Sequence, residues 1–430
     1  MKNNKRMRLA FSLAILCCVA IPSYATIAKF GMIGLTPTAV TVPQNGTAIV
    51  QYRVVNHTKY TRTITMVPMP GVTQDTSDSS YCSNPFTLAN ETTCLLTLSL
   101  DGSQIPNLLQ GGPTLCKTLA GGNNQPDTFM CSQPSTNYML SATVGAAIPS
   151  NYQAAYITNF SDNTISLCFV NALTGLLERC NIAAANGTII RPEAVATNPG
   201  VTLLYVANVG GSVSYCNINN QTGALSGCQN TGNDFSAPSG IVINPSNTLA
   251  YVSNITSDSV SLCTVAAGGA LSGCISTGSG FSQTSGLAMN PSGTYVYVSN
   301  FLPNTVRNCV IGGGGDLTCS TTTTGFSGPE GVTVNQLDSY AYITNKTNNT
   351  ITLCSIASNL LTGCATTGGT FTGVGNLAFN ADGTLAYVPS SSSSLSVCAV
   401  NSGSGALSNC VDSGGTGLTN PAGVLLTTLS

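Results

Sequence analysis

The chain has 430 residues, of which only 7% are charged, and its 13 basic and 15 acidic side chains give a net charge of −2. No basic cluster occurs, which argues against nucleic acid and anionic membrane surfaces as partners. Roughly a quarter of residues are charged in an average domain, so Ser, Thr, Asn and Gly must build much of this surface.

Residues 1–25 have the pattern of an export signal. Four basic residues fall within the first eight positions, an apolar run covers 9–21, and Ser-Tyr-Ala at 23–25 offers a small-x-small cleavage site. The run is too short for a comfortable membrane span. We predict cleavage after Ala25 and an exported chain without a membrane span, located in the periplasm, at the cell surface or in the medium.

Residues 26–145 differ in pattern from the rest of the chain. Polar and apolar residues alternate at 47–55, 61–67 and 94–100, and clusters of Pro, Gly and Asn separate these stretches. Several short strands without helical periodicity predict an immunoglobulin-like β-sandwich. The stretch 146–150 is the expected junction with the part that follows.

From residue 150 to 430 the sequence repeats itself. A phrase of the type Ala-Tyr-Val-Ser-Asn recurs at 155–159, 204–208, 250–254, 296–300, 341–345 and 386–390. A period of about 40–50 residues with short alternating strands is typical of a β-propeller. The fold class predicted is therefore all-β.

The phase of the repeats predicts how the ring closes. The first repeat begins at its second strand, with Ala155, whereas the last innermost strand stands near the C-terminus at 423–428. The C-terminal strand is thus expected to complete the first blade, which removes two exposed edges and gives six blades.

Sixteen cysteines remain when Cys17 and Cys18 leave with the signal, an even number in an exported chain. They lack the close pairs and histidine partners of a zinc site, so disulfides in an oxidising compartment are expected and no metal is predicted. In the N-terminal part, proximity favours Cys82 with Cys94 and Cys116 with Cys131, and the two other connectivities stay open.

In the repeats each unit carries two cysteines, and their short spacing fits a hairpin in which the two face each other on adjacent strands. The predicted pairs are Cys168 with Cys180, Cys216 with Cys228, Cys263 with Cys274, Cys309 with Cys319, Cys354 with Cys364, and Cys398 with Cys410.

The repeat resembles those of the YVTN and NHL propeller families and of lactonase-type propellers. The residues that carry the likeness are 204–208, 211–214 and 222–225, and the resemblance covers 150–430. It implies the propeller fold. It implies no single activity, since these families include binding proteins, surface proteins and enzymes.

Loops on one face of such a propeller form a funnel, and two sets of residues there are candidates for ligand binding. The first set is the asparagine that ends the repeated phrase in five of the six repeats. Each of these asparagines either caps a turn or belongs to a ring of amides around the channel. Its members are Asn159, Asn208, Asn254, Asn300 and Asn345.

The second set is Glu193 and Glu330, which occupy equivalent positions in two repeats. If the first blade begins at Ala155, the two glutamates fall in blades one and four. These blades would lie opposite each other, so the two side chains would point at one another across the channel. They are either solvated loop acids or groups that face a ligand or a hard cation such as calcium. No cofactor is predicted.

Catalytic groups of the common kinds are scarce. The only histidine, His57, lies in the N-terminal part, where we expect a surface position, so no Ser-His-Asp or Cys-His arrangement is available in the repeats. The favoured hypothesis is an exported, non-enzymatic binding or scaffold protein whose disulfide-stapled propeller faces a protein or glycan partner. The alternative is a lactonase-like hydrolase or lyase that uses acidic residues on the funnel face.

Overall fold

The structure, a computed structural model, describes residues 29–429 except 79, 107, 120, 122–123, 146–151, 186 and 233. The expected signal peptide lies outside the described residues. Within them the protein is all-β, and its one helical element is a 3-10 turn at Thr136–Tyr138. The described part of the chain contains no helix with the length and apolarity that crossing a bilayer requires.

The N-terminal part forms three sheets around one core. Alternate residues of the long strands β3 and β7 supply the centre of that core, including the fully buried Val50, Tyr52 and Leu98. The first sheet contains, in spatial order, β1 (Phe30–Gly34), β3 (Thr47–Asn56), β7 (Thr93–Asp101) and β5 (Val72–Asp75). The second contains β10 (Pro126–Ser132), β9 (Leu115–Thr118), β4 (Arg62–Met66) and β6 (Phe86–Leu88). The third contains β2 (Ala39–Pro43), β11 (Ser141–Gly145) and β8 (Leu108–Gln110), with β2 and β11 parallel.

The repeats fold into a β-propeller architecture of four-stranded antiparallel sheets, six of them within the described residues. The first sheet consists of β12 (Gln153–Asn159), β13 (Thr164–Val170), β14 (Leu177–Ala184) and the C-terminal β35 (Pro421–Thr428). The second has β15 (Pro192–Thr197), β16 (Leu203–Asn208), β17 (Ser212–Ile218) and β18 (Leu225–Thr231); the third has β19 (Pro238–Ile243), β20 (Leu249–Asn254), β21 (Ser259–Val265) and β22 (Leu271–Thr277). The fourth has β23 (Thr284–Met289), β24 (Tyr295–Asn300), β25 (Thr305–Ile311) and β26 (Leu317–Thr324); the fifth has β27 (Pro329–Val334), β28 (Tyr340–Asn345), β29 (Thr350–Ala357) and β30 (Leu360–Thr367). The sixth has β31 (Ala378–Phe379), β32 (Leu385–Ser390), β33 (Ser394–Val400) and β34 (Leu407–Asp412).

The apolar residues of the repeats pack between neighbouring sheets. One cluster joins Tyr156 of the first sheet to Leu204 of the second, and another joins Ala155 to Tyr387 of the sixth. Because the sixth sheet packs against the first, the sheets surround a central channel that the inner strands line.

The C-terminal strand closes this arrangement by pairing, as the phase of the repeats predicts. β35 runs antiparallel to β12, from Gln153 opposite Thr428 to Asn159 opposite Pro421. The predicted inner strand at 423–428 is thus part of a longer strand that begins at Pro421.

A tyrosine in the second strand of each sheet ties that sheet to the next. The six side chains are at most 1% exposed, and each hydroxyl donates to a carbonyl in the outer turn of the following sheet. Burial raises the pKa of Tyr205, Tyr251 and Tyr342 to about 12. The pairs are Tyr156–Gly223, Tyr205–Gly269, Tyr251–Gly315, Tyr297–Asn359, Tyr342–Gly405 and Tyr387–Gly175.

Eight disulfides occur in the described residues, and every predicted pair is confirmed. In the N-terminal part Cys82 is bonded to Cys94 and Cys116 to Cys131, which decides among the connectivities that spacing leaves open. The disulfides are consistent with an extracellular, oxidising setting. The bonds in the repeats join Cys168 to Cys180, Cys216 to Cys228, Cys263 to Cys274, Cys309 to Cys319, Cys354 to Cys364, and Cys398 to Cys410.

The six bonds of the repeats link the third strand of a sheet to its outer strand, where the Cα atoms lie 4.0–4.1 Å apart. The two cysteines of each pair thus face each other on adjacent strands, as predicted, and in the fourth sheet Cys309 is directly opposite Cys319 in the ladder. In the other five sheets the register shifts at the disulfide, and two residues of the outer strand stand opposite the cysteine of the third strand. The outer cysteines at these shifts are Cys180, Cys228, Cys274, Cys364 and Cys410.

A residue of positive φ causes each of these five shifts. It directly precedes the outer cysteine, and its φ is between 50° and 59°. Glycine adopts this left-handed conformation without a steric penalty, and an extra left-handed residue is typical of a β-bulge. A regular ladder, counted outward from the hairpin turn, would place the left-handed residue opposite the third-strand cysteine. The bulge brings the next residue, the outer cysteine, to that position as well. The five residues are Arg179, Gly227, Gly273, Gly363 and Asn409.

Candidate active site

Glu193 and Glu330 sit at irregularities of their inner strands. In β15 Pro192 pairs with Asn208 and Ala194 with Ala207, so Glu193 is the extra residue of a bulge. Glu330 is the extra residue of the same bulge in β27. A bulge turns a side chain away from the regular pleat and is frequent beside active sites. Here it occurs where the inner strands begin, at the end of the channel that we call the upper mouth.

The two glutamates belong to sheets that lie three apart in the ring. They are in the second and fifth sheets, which corrects the expected blades one and four: each inner strand pairs with the strand that follows it in sequence. Their carboxyl groups lie close enough to interact, because the charge of Glu330 and a side-chain hydrogen bond to it both contribute to the raised pKa of Glu193. Equivalent positions in the other sheets hold Ser239, Ser285, Gly375 and Ala422.

Hydroxyl groups of the preceding sheet fix the backbone of both glutamates. Ser299 Oγ donates to the Glu330 carbonyl over 3.0 Å, and Thr158 Oγ1 donates to the Glu193 carbonyl over 3.3 Å. Glycines allow this close approach, since a Cβ at Gly286 or Gly423 would lie 2.5 Å from those same carbonyl oxygens. The local sequence therefore holds each carboxyl group in one place.

The carboxyl pair is buried and has one close cation. Glu193 is 6% exposed and Glu330 is 5% exposed. The ammonium of Lys346, whose side chain is half exposed, forms an ion pair with Glu330 Oε1. Burial opposes a charge on Lys346, but Glu330 and Glu193 outweigh it and hold the pKa of Lys346 above its usual value.

Burial favours the neutral form of Glu193. Burial raises the pKa of Glu193 well above its usual value, and the charge of Glu330 and the hydrogen bond to it raise that pKa further, against Lys346 and Arg191. Glu330 Oε2 is buried and has no hydrogen-bond partner among the described residues, which leaves it available to accept a hydrogen bond from a protonated Glu193. The channel thus holds a buried carboxyl group whose neutral form is favoured, beside a second carboxyl group that pairs with a lysine, and acid–base catalysis uses two groups of this kind.

The five asparagines of the first set lie deep in the repeats, at most 1% exposed. Each amide nitrogen donates to a Ser or Thr of the neighbouring third strand, as from Asn208 to Ser214 over 2.9 Å. Each amide oxygen accepts a backbone N–H from the loop that leads to an inner strand, as from Ile190 to Asn208 over 3.1 Å. This geometry supports the structural role that the sequence left open, because both ends of each amide are used inside the fold.

Two residues of the channel were not found from the sequence. Lys346 follows the repeat phrase at a position that is Phe, Val, Ile, Phe or Ser in the other repeats. Asn376 stands where the other inner strands have Ala194 or a glycine. Both differences from the other repeats become visible when the six repeats are aligned position by position.

His57 pairs with Glu91 over 3.1 Å at the surface of the N-terminal part, away from the channel. Within the described residues, no group of three or more His, Cys, Asp or Glu side chains is placed to hold a metal ion.

No family model matches the sequence, and no curated protein matches it. Solved structures do match the fold. The periplasmic gluconolactonase of Pseudomonas aeruginosa has a TM-score of 0.51 at 14% identity, covering 65% of this chain and 100% of its own. A component of the nidogen/laminin complex has a TM-score of 0.51 at 10% identity, with coverage of 65% and 100%. A candidate 6-phosphogluconolactonase from Bacteroides uniformis has a TM-score of 0.48 at 14% identity, with coverage of 64% and 100%.

These likenesses show the β-propeller fold. The favoured hypothesis of a non-enzymatic binding or scaffold protein is corrected here, because a periplasmic gluconolactonase is among the structures of similar fold. The hypothesis rested on the absence of a histidine-based constellation. The two buried glutamates that interact in the channel come from separate repeats, and only the closed ring brings them together.

Proposed function

We propose that this protein is a lactonase-like hydrolase that opens a sugar lactone at the upper mouth of its channel. The observation that carries the proposal is the buried pair of Glu193 and Glu330, in which burial favours the neutral form of one carboxyl group and a lysine pairs with the other. The similarity in fold to a periplasmic gluconolactonase supports a lactone such as gluconolactone as the substrate.

In the proposed reaction Glu330 acts as general base. Its carboxylate, which forms an ion pair with Lys346, takes a proton from water as the water oxygen attacks the lactone carbonyl carbon. The half-exposed ammonium of Lys346 stabilises the negative charge that develops on the carbonyl oxygen.

Glu193 acts as general acid. It donates its proton to the ring oxygen as the C–O bond breaks, which gives the open hydroxy acid. Glu330 is then protonated and Glu193 ionised, and the hydrogen bond between them lets the proton return to Glu193. The pair is thereby ready for the next substrate without another proton carrier.

The finer architecture belongs to the same proposal. The chain would consist of a signal peptide at 1–25, a β-sandwich domain at 26–145 and a six-bladed propeller of the YVTN/NHL type at 150–430. The three sheets around one N-terminal core and the closure by β35 support this division. Export to the periplasm, the cell surface or the medium accords with the disulfides.

The test is hydrolysis of gluconolactone, followed by proton release and corrected for the spontaneous reaction. Glu330→Gln should lower kcat by about 100-fold or more, the usual contribution of a general base. The matched control is Asp316→Asn, the same chemical change on an exposed outer turn of the fourth sheet. Absence of turnover in the wild-type protein over a panel of sugar lactones would overturn the proposed activity.

A further inference from the structure

The channel has a second compartment beyond the carboxyl pair. Where the inner strands end, at what we call the lower mouth, they enclose a chamber of about 390 Å³. This volume lies within the ~300–1,000 Å³ range typical of small-molecule sites. The chamber does not include Glu193 or Glu330, so it is separate from the proposed catalytic groups.

The chamber is apolar and carries no charged side chain among its lining residues. Alanine, valine, leucine, isoleucine, methionine and proline make up most of its wall, including Ala196, Ala378 and Met289. An ionised ligand would lose its hydration there without gaining a counter-charge, whereas an alkyl chain would lose only contact with water.

One polar side chain at the upper end of the chamber is available to a ligand. The Asn376 Oδ1 atom lies over two glycines of other sheets, since it would be 2.4 Å from a Cβ at Gly331 and 3.1 Å from one at Gly286. The amide therefore extends over the inner strands of the fifth and fourth sheets, between the chamber and the level of the carboxyl pair. It makes no side-chain hydrogen bond to the other described residues.

Two other polar side chains of the wall, Asn290 and Thr333, are already used. The Asn290 amide donates to Ser292 over 2.8 Å and to Asp338 over 2.9 Å, and its oxygen accepts from the backbone of Thr294. Thr333 Oγ1 donates to the Leu377 carbonyl over 2.8 Å. Asn376 is thus the amide in the chamber that can both donate to and accept from a ligand.

We infer that the chamber binds an uncharged amphiphile, an alkyl chain of medium length with one amide, ester or alcohol head group that pairs with Asn376. The chain lies along the apolar wall and leaves through the lower mouth. This site goes beyond the proposed hydrolase function and does not depend on it, because the two sites share no residue.

The experiment is calorimetric titration of the full chain with octanamide. Sodium octanoate, which has the same chain and a charged head, should bind at least 10-fold more weakly, and acetamide, which lacks the chain, should not bind measurably. In the unmodified protein with isotopically labelled methionine methyl groups, the NMR signal of Met289 should shift on addition of octanamide. An unshifted Met289 signal, or equal affinity for octanamide and octanoate, would overturn the inference.

Variants locate the site. Ala196→Phe and Ala378→Phe each place a ring in the chamber and should abolish octanamide binding. Asn376→Leu, of similar size, should weaken it about 10-fold, the effect of losing about 1.4 kcal/mol of hydrogen bonding. Glu193→Gln, at the other end of the channel, should bind octanamide as the wild type does. Undiminished binding by a folded Phe variant would place the site elsewhere and contradict the inference, and the Met289 signal decides the matter if neither Phe variant folds.

Discussion

The Tyr387 hydroxyl donates a hydrogen bond of 2.7 Å to the carbonyl of Gly175, 212 residues away, and so joins the sixth sheet to the first. The same bond recurs between each pair of neighbouring sheets in the described residues. Each of these bonds places a buried hydroxyl group at a contact between two sheets. If one sheet were displaced relative to its neighbour, that hydroxyl would lose its hydrogen-bond partner.

Removing that hydroxyl should weaken the closure. Tyr387→Phe leaves the buried Gly175 carbonyl without its donor, and we expect the free energy of unfolding to fall by about 1–2 kcal/mol. Tyr340→Phe is the control, because Tyr340 makes an equivalent bond to Gly403 at an exposed site and water can replace it. Urea unfolding monitored by tyrosine fluorescence measures both, and equal losses would contradict a special role for the buried bond.

Truncation tests the role of the C-terminal strand. A chain that ends at Pro421 lacks the residues that pair with Gln153–Ile157 of β12. Each buried backbone group left unpaired costs about 1–3 kcal/mol, so several together rival the ~5–15 kcal/mol that stabilises a typical domain. We expect aggregation or a large drop in the melting temperature. A chain that ends at Thr428 keeps the ladder and serves as control; if both truncations melt alike, β35 is not what closes the ring.

The disulfides of the repeats should each stabilise their own sheet. Replacing Cys263 and Cys274 together by serine opens a short loop, and the free energy of unfolding should fall by about 2–3 kcal/mol in the chain-entropy model. The remaining pairs should stay intact in peptide maps prepared without reductant. Reshuffled pairs between different sheets would show that the links are not set locally.

The raised pKa of Glu193 predicts a pH dependence of stability. The folded protein holds this proton more tightly than the unfolded chain, so the contribution is fully present below the usual glutamate range and is lost as the pH rises through the folded pKa. Compared with the wild type, Glu193→Gln should therefore gain relative stability as the pH rises, by up to about 1.36 kcal/mol per pH unit. Chemical unfolding at several pH values measures the difference, and Asp316→Asn should show no such trend. Parallel curves for the wild type and Glu193→Gln would argue against the shared proton.

Much of the fold could be predicted because each repeat carries its own strand pattern and its own cysteine pair. The phase of the repeats even places the C-terminal strand beside Ala155, as found. The blade numbers of the glutamates were predicted wrongly because a repeat phrase starts at a second strand, while a sheet includes the inner strand before it. The bulges at the disulfides were missed because spacing alone does not show which residue, such as Gly227 before Cys228, turns left-handed.

The candidate site was harder to predict because its parts meet only through ring closure. Glu193 and Glu330 could be picked out as equivalent residues, but their burial and their shared hydrogen bond depend on all the sheets together. The partners of the asparagines are hydroxyls of the next strand and backbone groups of another loop, which no local pattern reveals. Lys346 occupies a position that is uncharged in the other five repeats, so the pattern shared by the repeats does not reveal it.

The pH dependence of kcat/KM for gluconolactone hydrolysis tests the central claim most directly. If Glu193 acts as the acid and Glu330 as the base, the wild-type profile is bell-shaped, and its alkaline limb reports loss of the proton from the pair. Glu193→Gln should be about 100-fold slower and should lose that alkaline limb, while Asp316→Asn keeps the wild-type profile. A Glu193→Gln enzyme with the wild-type rate and the wild-type alkaline limb would contradict the claim.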